Sequence, residues 1–246
     1  MKVTVNIKEL KLSTSTEEKV LLNDIFFNLS EKCIYTILGK NGSGKSTLIK
    51  SLAGLLDKRF YSVKGSIVAD NIDITTATED ELMSIRREKI KYVFQDATNS
   101  FDPLRKLGYY FKRFGLDKDE SEKLLGYFLL PRLNKLSQMY PYELSGGMAQ
   151  RFSFVVSLLM NPELLILDEP TSGIDPAIAN LFLLKIKEFI SEDKKNVLLV
   201  TQDIEFAKSA GGFTAHIRDG VLSPFQPNEE YFSSEEILFK NSWGEL

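Results

Sequence analysis

One cysteine, one histidine and no long apolar run restrict what this 246-residue chain can be. Cys33 has no second cysteine to pair with, so no intrachain disulfide is possible and a reduced, intracellular compartment fits. Cys33 itself reads as a small buried hydrophobe in a strand. The lone His216 falls in Thr214-Ala215-His216-Ile217, which reads as a late strand, and its expected role is structural. No segment approaches the roughly 18 consecutive apolar residues of a membrane span. Residues 1–10 alternate charged and apolar side chains and lack the apolar run of a signal peptide. If the protein works at a membrane, other chains must carry the spans. The formal charge of -3 supplies no global basic field, so nothing argues for nucleic acid as a partner. Repeats and low-complexity tracts are also missing.

What is present is ordinary globular composition, 43% hydrophobic and 26% charged, enough for a full hydrophobic core. One segment stands out from it. Gly39-Lys40-Asn41-Gly42-Ser43-Gly44-Lys45-Ser46, followed by Thr47, fits the phosphate-cradling pattern G-x-x-x-x-G-K-[ST] at every fixed position. Residues 33–38 before it read as a buried strand. From Lys45 onward, Leu48, Ile49, Leu52 and Leu55 give a helix one apolar face. Strand, loop and helix in that order are the context the motif demands. Glycines at 39, 42 and 44 let backbone N–H groups turn inward as an anion nest, and the helix N-terminus adds partial positive charge. Lys45 is then placed for β- and γ-phosphates and Ser46 for Mg²⁺, which points to a nucleoside triphosphate.

Upstream, Val3-Val5-Ile7 and Ile25-Phe27-Leu29 alternate as antiparallel strands do, joined by the polar stretch 13–19. Downstream, 65–69 reads as a strand, 79–88 as a charged helix and 91–94 as a core strand. From 96 to 160 the pattern turns helical, with aromatic clusters at Tyr109-Tyr110-Phe111-Phe114 and Tyr127-Phe128. Two apolar strands follow at 164–167 and 197–200, separated by a helix over 180–190. Short apolar strands alternating with helices imply a parallel sheet with right-handed crossovers. The expected organisation is a single domain over 1–246, with 1–95 and 161–225 as core, 96–160 as an inserted helical subdomain and 226–246 as a short peripheral tail.

Two further motifs carry chemistry. Leu164 to Glu169 ends a buried strand in two carboxylates, at the end of an α/β sheet where ligands bind. Asp168 suits the Mg²⁺ shell and Glu169 the polarisation of an attacking water. Leu144-Ser145-Gly146-Gly147 opens a helix bearing Phe152, Val155, Val156 and Leu159 on one face, so Ser145, Gly146 and Gly147 form a second anion site. Within one domain, two such sites have no obvious way to hold the same phosphate.

Taken together, the phosphate loop, Gln95 after a core strand, Leu144-Ser145-Gly146-Gly147, Asp168-Glu169 and Ser172-Gly173-Ile174-Asp175 resemble the ATP-binding-cassette ATPases over nearly the whole chain. The resemblance implies an α/β fold: a P-loop ATPase core, with a parallel sheet flanked by helices, an N-terminal antiparallel β subdomain and the inserted α-helical subdomain. It implies ATP hydrolysis with Mg²⁺. It also implies head-to-tail pairing, in which each ATP lies between one chain's phosphate loop and the Ser145-Gly146-Gly147 signature of the other. By the same resemblance Gln95 reaches Mg²⁺ and the attacking water, and Asp175 contacts the facing domain. The strings Phe94-Gln95-Asp96 with Ser100-Phe101-Asp102-Pro103, and Tyr140-Pro141 ahead of the signature, look most like importers of peptides, dipeptides or nickel chelates. That branch implies transmembrane permease subunits, a second ATPase subunit and a place on the cytoplasmic face of the cell membrane. A groove between Gln95 and the aromatics at 109–114 would receive a short permease helix, although the same rings also serve as core. Soluble cassette ATPases, for example in metal-cluster assembly, and slow, mainly nucleotide-binding subunits are the competing classes.

The chain departs from the family pattern in two places. After the strand at 197–200 the family usually carries a histidine that bonds the γ-phosphate, whereas here Gln202 stands in that position. A glutamine amide donates one neutral hydrogen bond and relays no proton. Either the chemistry slows, or Gln202 substitutes adequately because Glu169, Lys45 and Gln95 remain. The aromatic ring that usually stacks on adenine upstream of the phosphate loop is also missing, since residues 8–24 contain none. Leu12, Val20 or Leu22 could offer apolar contact instead. Both gaps weaken the same composite site, so a heterodimer with a faster sister ATPase is the favoured expectation.

Overall fold

The structure of the chain is a computed structural model that describes residues 1–30 and 32–233. Strand β1 (Val3–Ser13) pairs antiparallel with β2 (Glu18–Leu29), and the register explains why. Val3 faces Leu29, Val5 faces Phe27 and Ile7 faces Ile25, so the alternating apolar residues share one buried face. Both strands run beyond the expected alternation because Leu10 and Leu22 form a further buried pair before the register shifts at Leu10/Lys11. After β3 (Ile34–Leu38) and α1 (Lys45–Leu52), strands β4 (Tyr61–Ala69) and β5 (Ile72–Asp73) complete this sheet in the order β2-β1-β4-β5. Gly65 sits opposite Ile7 at a φ of +128°, where a Cβ would lie 2.0 Å from the Asn6 carbonyl oxygen. Only glycine admits that approach.

Helix α2 (Glu79–Glu88) starts at a capping box between Thr78 and Glu81 and leads into β6 (Ile90–Val93), which ends one residue short of the expected strand. Between β6 and the next strand lie α3 (Gly108–Phe114), α4 (Lys118–Tyr127), α5 (Leu133–Leu136) and the long α6 (Gly146–Leu159). The chain then alternates through β7 (Leu164–Asp168), α7 (Pro176–Ser191), β8 (Asn196–Thr201), α8 (Ile204–Ala210) and β9 (Phe213–Arg218). Helix α7 begins earlier than its apolar pattern suggests because Asp175 caps it and Pro176 takes its first turn. Short strands β10 (Val221–Leu222) and β11 (Gln226–Pro227) pair antiparallel with β9.

Among the described residues the second sheet has seven strands, with the path β10-β9-β3-β8-β7-β6 and β11 also on β9. Strands β6, β7, β8, β3 and β9 are parallel. This is the α/β fold expected, with its antiparallel and helical additions. Both faces of the parallel sheet are covered. Ile37, Ile166, Leu198 and Val200 pack toward α1, α2 and the antiparallel sheet. Leu165, Leu167, Val197 and Leu199 pack toward α6, α7 and the helical insertion. Every residue of β3, β7 and β8 is buried, as strands enclosed on both faces must be.

Two details differ from expectation. Cys33 precedes β3 and is half-buried against the core edge. The segment expected as a peripheral tail begins with β11 and buries Tyr231 beside Leu38 and Ala207, while Asn228 Nδ2 donates to the Ala207 carbonyl at 3.0 Å. The rest of that tail, 234–246, lies outside the described residues.

Candidate active site

The carboxyl ends of β3, β6, β7 and β8 converge, and the residues that follow them line or support one cleft of about 430 Å³. The loop after β3 turns through Gly42 and Gly44 at φ +80° and +103°, a region that disfavours any residue with a Cβ. Asn41, Gly42, Ser43, Gly44, Lys45, Ser46 and Thr47 form one wall. Gly39 does not reach the wall. Its carbonyl accepts from Lys45 Nζ at 2.7 Å, and a Cβ there would come within 2.8 Å of the Ile217 carbonyl oxygen.

Lys45 is folded back on its own loop, donating also to the Lys40 carbonyl at 3.0 Å. Its Nζ lies 3.3 Å from Glu169 Oε1, and the two side chains are only 5% and 6% exposed. Glu169 holds a left-handed φ of +46°, costly for a residue with a Cβ. Neighbouring bonds hold it there. Its N–H donates to the Val200 carbonyl at 2.9 Å, and the Gln202 backbone N–H donates to its Oε2 at 3.1 Å. Beside it, Asp168 is 3% exposed. Ser46 Oγ donates to Asp168 Oδ1 at 3.0 Å and the Tyr92 hydroxyl to Oδ2 at 2.6 Å. Burial, reinforced by the Asp168 charge, raises the Tyr92 phenol far above its usual range, so it stays a donor.

Gln95 also lines this cleft. Gln202 meets the site only through its backbone, and its exposed side chain is not on the cleft wall. Ser145, Gly146 and Gly147 are elsewhere. They open α6, where Ser145 Oγ accepts from the Met148 N–H at 3.3 Å, and a Cβ on either glycine would meet nothing within 4 Å. Asp175 caps α7 by accepting from the Ala177 N–H at 2.8 Å.

Sequence reasoning missed part of the site. Val20 is on the wall as expected, but Leu22 is fully buried in the core and Leu12 is not on the wall, whereas Lys19, Leu21, Asp219 and Gly220 are. The last two arrive because the Asn23 N–H donates to the Gly220 carbonyl at 2.9 Å, pinning the β9–β10 turn to β2. Tyr92 was legible only as a strand residue. The aromatic cluster divides: Tyr110 and Phe111 are core, Tyr109 and Phe114 are exposed. Phe114 borders a groove of about 1050 Å³ with Met83, Lys91 and Met160, and Gln95 is not part of it.

Ser46 and Asp168 form an all-oxygen donor pair facing a phosphate-type loop, which fits Mg²⁺, an ion that takes one or two carboxylates and completes its shell with water and substrate phosphates. Strand, glycine-rich loop and helix, with two carboxylates at the carboxyl end of β7 in the same parallel sheet, define a P-loop nucleotide-binding domain. The family model described as ABC transporter matches residues 22–172, and the chain belongs to that family as one of its ATPase domains.

The oligopeptide transport ATP-binding protein OppD of Haemophilus influenzae is 32% identical over 97% of this chain and 75% of its own length. A putative ABC transporter ATP-binding protein of Pyrococcus horikoshii is 33% identical over 88% of this chain and 81% of its own. Among solved structures, a dimeric cassette of a bacterial ABC transporter, MJ0796, superposes with a TM-score of 0.79 at 26% identity, covering 93% of this chain and 99% of that one. The same cassette in a dimeric post-hydrolysis state bound to ADP and Pi gives 0.77 at 27%, with the same coverage. Among the described residues no helix is long and apolar enough to cross a membrane.

Proposed function

We propose that this chain binds ATP with Mg²⁺ in the cleft and hydrolyses it as the energy-coupling subunit of an importer, serving separate permease chains at the cytoplasmic face of the membrane. The observation that carries the reading is the Ser46–Asp168 hydrogen bond beside the Lys45–Glu169 pair, which joins the phosphate loop to the end of β7. The backbone from Asn41 to Thr47 cradles the phosphates, and Lys45 leaves Glu169 to meet the β- and γ-oxygens. Ser46, Asp168 and Gln95 hold Mg²⁺, which when bound neutralises charge developing on the phosphates. Glu169, released from Lys45, orients and polarises the attacking water. The signature residues Ser145, Gly146 and Gly147 serve the γ-phosphate of a facing cassette. The similarity to OppD, an oligopeptide transport ATP-binding protein, supports a peptide as the imported solute.

Gln202 makes this chain the slower member of a heterodimeric pair. Charge-assisted hydrogen bonds are about twice as strong as neutral ones, and the difference corresponds to roughly ten- to thirtyfold in rate. Single-turnover hydrolysis tests both statements. Glu169→Gln should retain ATP and lose about a hundredfold or more in rate, while Gln202→His should accelerate the step by that ten- to thirtyfold margin. Unchanged hydrolysis in Glu169→Gln sinks the assignment of the base. An unchanged rate in Gln202→His removes Gln202 as a reason for an unequal pair and leaves only the missing adenine-stacking ring.

A further inference from the structure

We infer that Tyr92 is a positioning residue for the metal site, holding the Asp168 carboxylate so that a single oxygen is presented to Ser46 and the bound cation. The inference rests on the Mg²⁺–ATP reading above.

Strand geometry makes the contact specific. Tyr92 on β6 is the register partner of Ile166 on β7, and Asp168 lies two residues further along the same face. Two residues of strand span about 7 Å, a distance that a phenol bridges and a shorter side chain does not. The Tyr92 ring is itself held, packed against Phe94 with centroids 4.4 Å apart. Phe94 directly precedes Gln95, so the residue orienting one proposed metal ligand is packed beside the loop that carries another. Without a donor on Oδ2, the carboxylate could rotate and present either oxygen. With the Tyr92 hydroxyl on Oδ2 at 2.6 Å, Oδ1 is the oxygen left to face Ser46 Oγ at 3.0 Å. A hydroxyl has one proton and two lone pairs, so Ser46 can keep its proton on Oδ1 and still offer a lone pair to a cation. Partners of this kind, which hydrogen-bond a ligating carboxylate, typically carry 10–100-fold of metal affinity.

The test is Tyr92→Phe, which keeps the ring and its packing and removes only the hydroxyl. Mn²⁺ is titrated into the protein saturated with a non-hydrolysable ATP analogue, and the free ion is read by electron paramagnetic resonance. Affinity for the analogue alone is measured in chelator. The expected result is about tenfold weaker Mn²⁺ binding with unchanged affinity for the metal-free analogue, and no further loss when Tyr92→Phe is added to Asp168→Asn. Tyr92→Met, also without a donor, gives the same result if the phenylalanine variant does not fold. Mn²⁺ held as tightly by Tyr92→Phe as by the parent overturns the inference. So does an equal loss of analogue affinity with and without metal, which is what a merely structural role produces. A parent chain that takes up the analogue but no Mn²⁺ overturns the metal reading itself, and the inference with it.

Discussion

At Lys45 and Glu169 two charges, each nearly hidden from solvent, hold one another at the edge of the cleft. Removing one partner of a buried pair strands the other charge, at a cost of about 3–5 kcal/mol, whereas removing both is far milder. Lys45→Met should therefore lower the free energy of unfolding by about 3 kcal/mol, the low end because the cleft admits water. Lys45→Met with Glu169→Gln should recover most of that loss. Urea denaturation of the two variants decides it: equal stability would mean that the pair does not couple. These residues were legible in the sequence because phosphate chemistry tolerates few alternatives at Gly44, Lys45, Ser46, Asp168 and Glu169. Tyr92 and Leu21 were not. A tyrosine in a core strand or a partly buried leucine in an edge strand is ordinary packing chemistry, and nothing local says which one turns toward a carboxylate or a cleft.

Elements enclosed on both faces were the most readable, since β3, β7 and β8 are short, fully buried and mostly apolar runs. The ends of β1 and β2 were obscured by their exposed residues, and α8 was not foreseen because it is short and its start depends on the Asp203 cap. The junction of α2 and β6 carries a consequence of its own. Lys91 is buried there, donating to the carbonyls of Arg86, Arg87 and Ile90, the latter two at 2.7 and 3.3 Å. The neighbouring Glu88 charge favours the ammonium form, but burial outweighs it and pushes the group down from 10.5 to about 8. Between pH 8 and 10.5 the unfolded chain then binds more protons than the folded one, so stability rises with pH across that window. Lys91→Met should abolish that increment. Chemical denaturation of both proteins at the two ends of the window measures it, and parallel pH profiles would refute it.

For the whole molecule, the question is why one chain displays two glycine-bearing helix starts that do not share a cleft. The parallel sheet gathers the phosphate loop, Gln95 and the paired carboxylates at one edge, while Ser145, Gly146 and Gly147 open α6 toward solvent with room beside both glycines. A site with open space and a helix dipole suits a phosphate brought by a second cassette. Gly146→Asp separates this from a purely structural role for the glycines. An acidic residue in the first turn of a helix is locally favourable, and its Cβ meets no neighbour, so the chain should fold and melt as the parent does. It should also bind ATP with unchanged affinity, because its own phosphate loop is untouched. What it should lose is ATP-dependent association with a facing cassette, through repulsion between the new carboxylate and the incoming γ-phosphate. Light scattering on the Glu169→Gln background, with ATP and the facing cassette present, reads that association without turnover. A Gly146→Asp chain that still associates would mean that this helix start serves no phosphate at all.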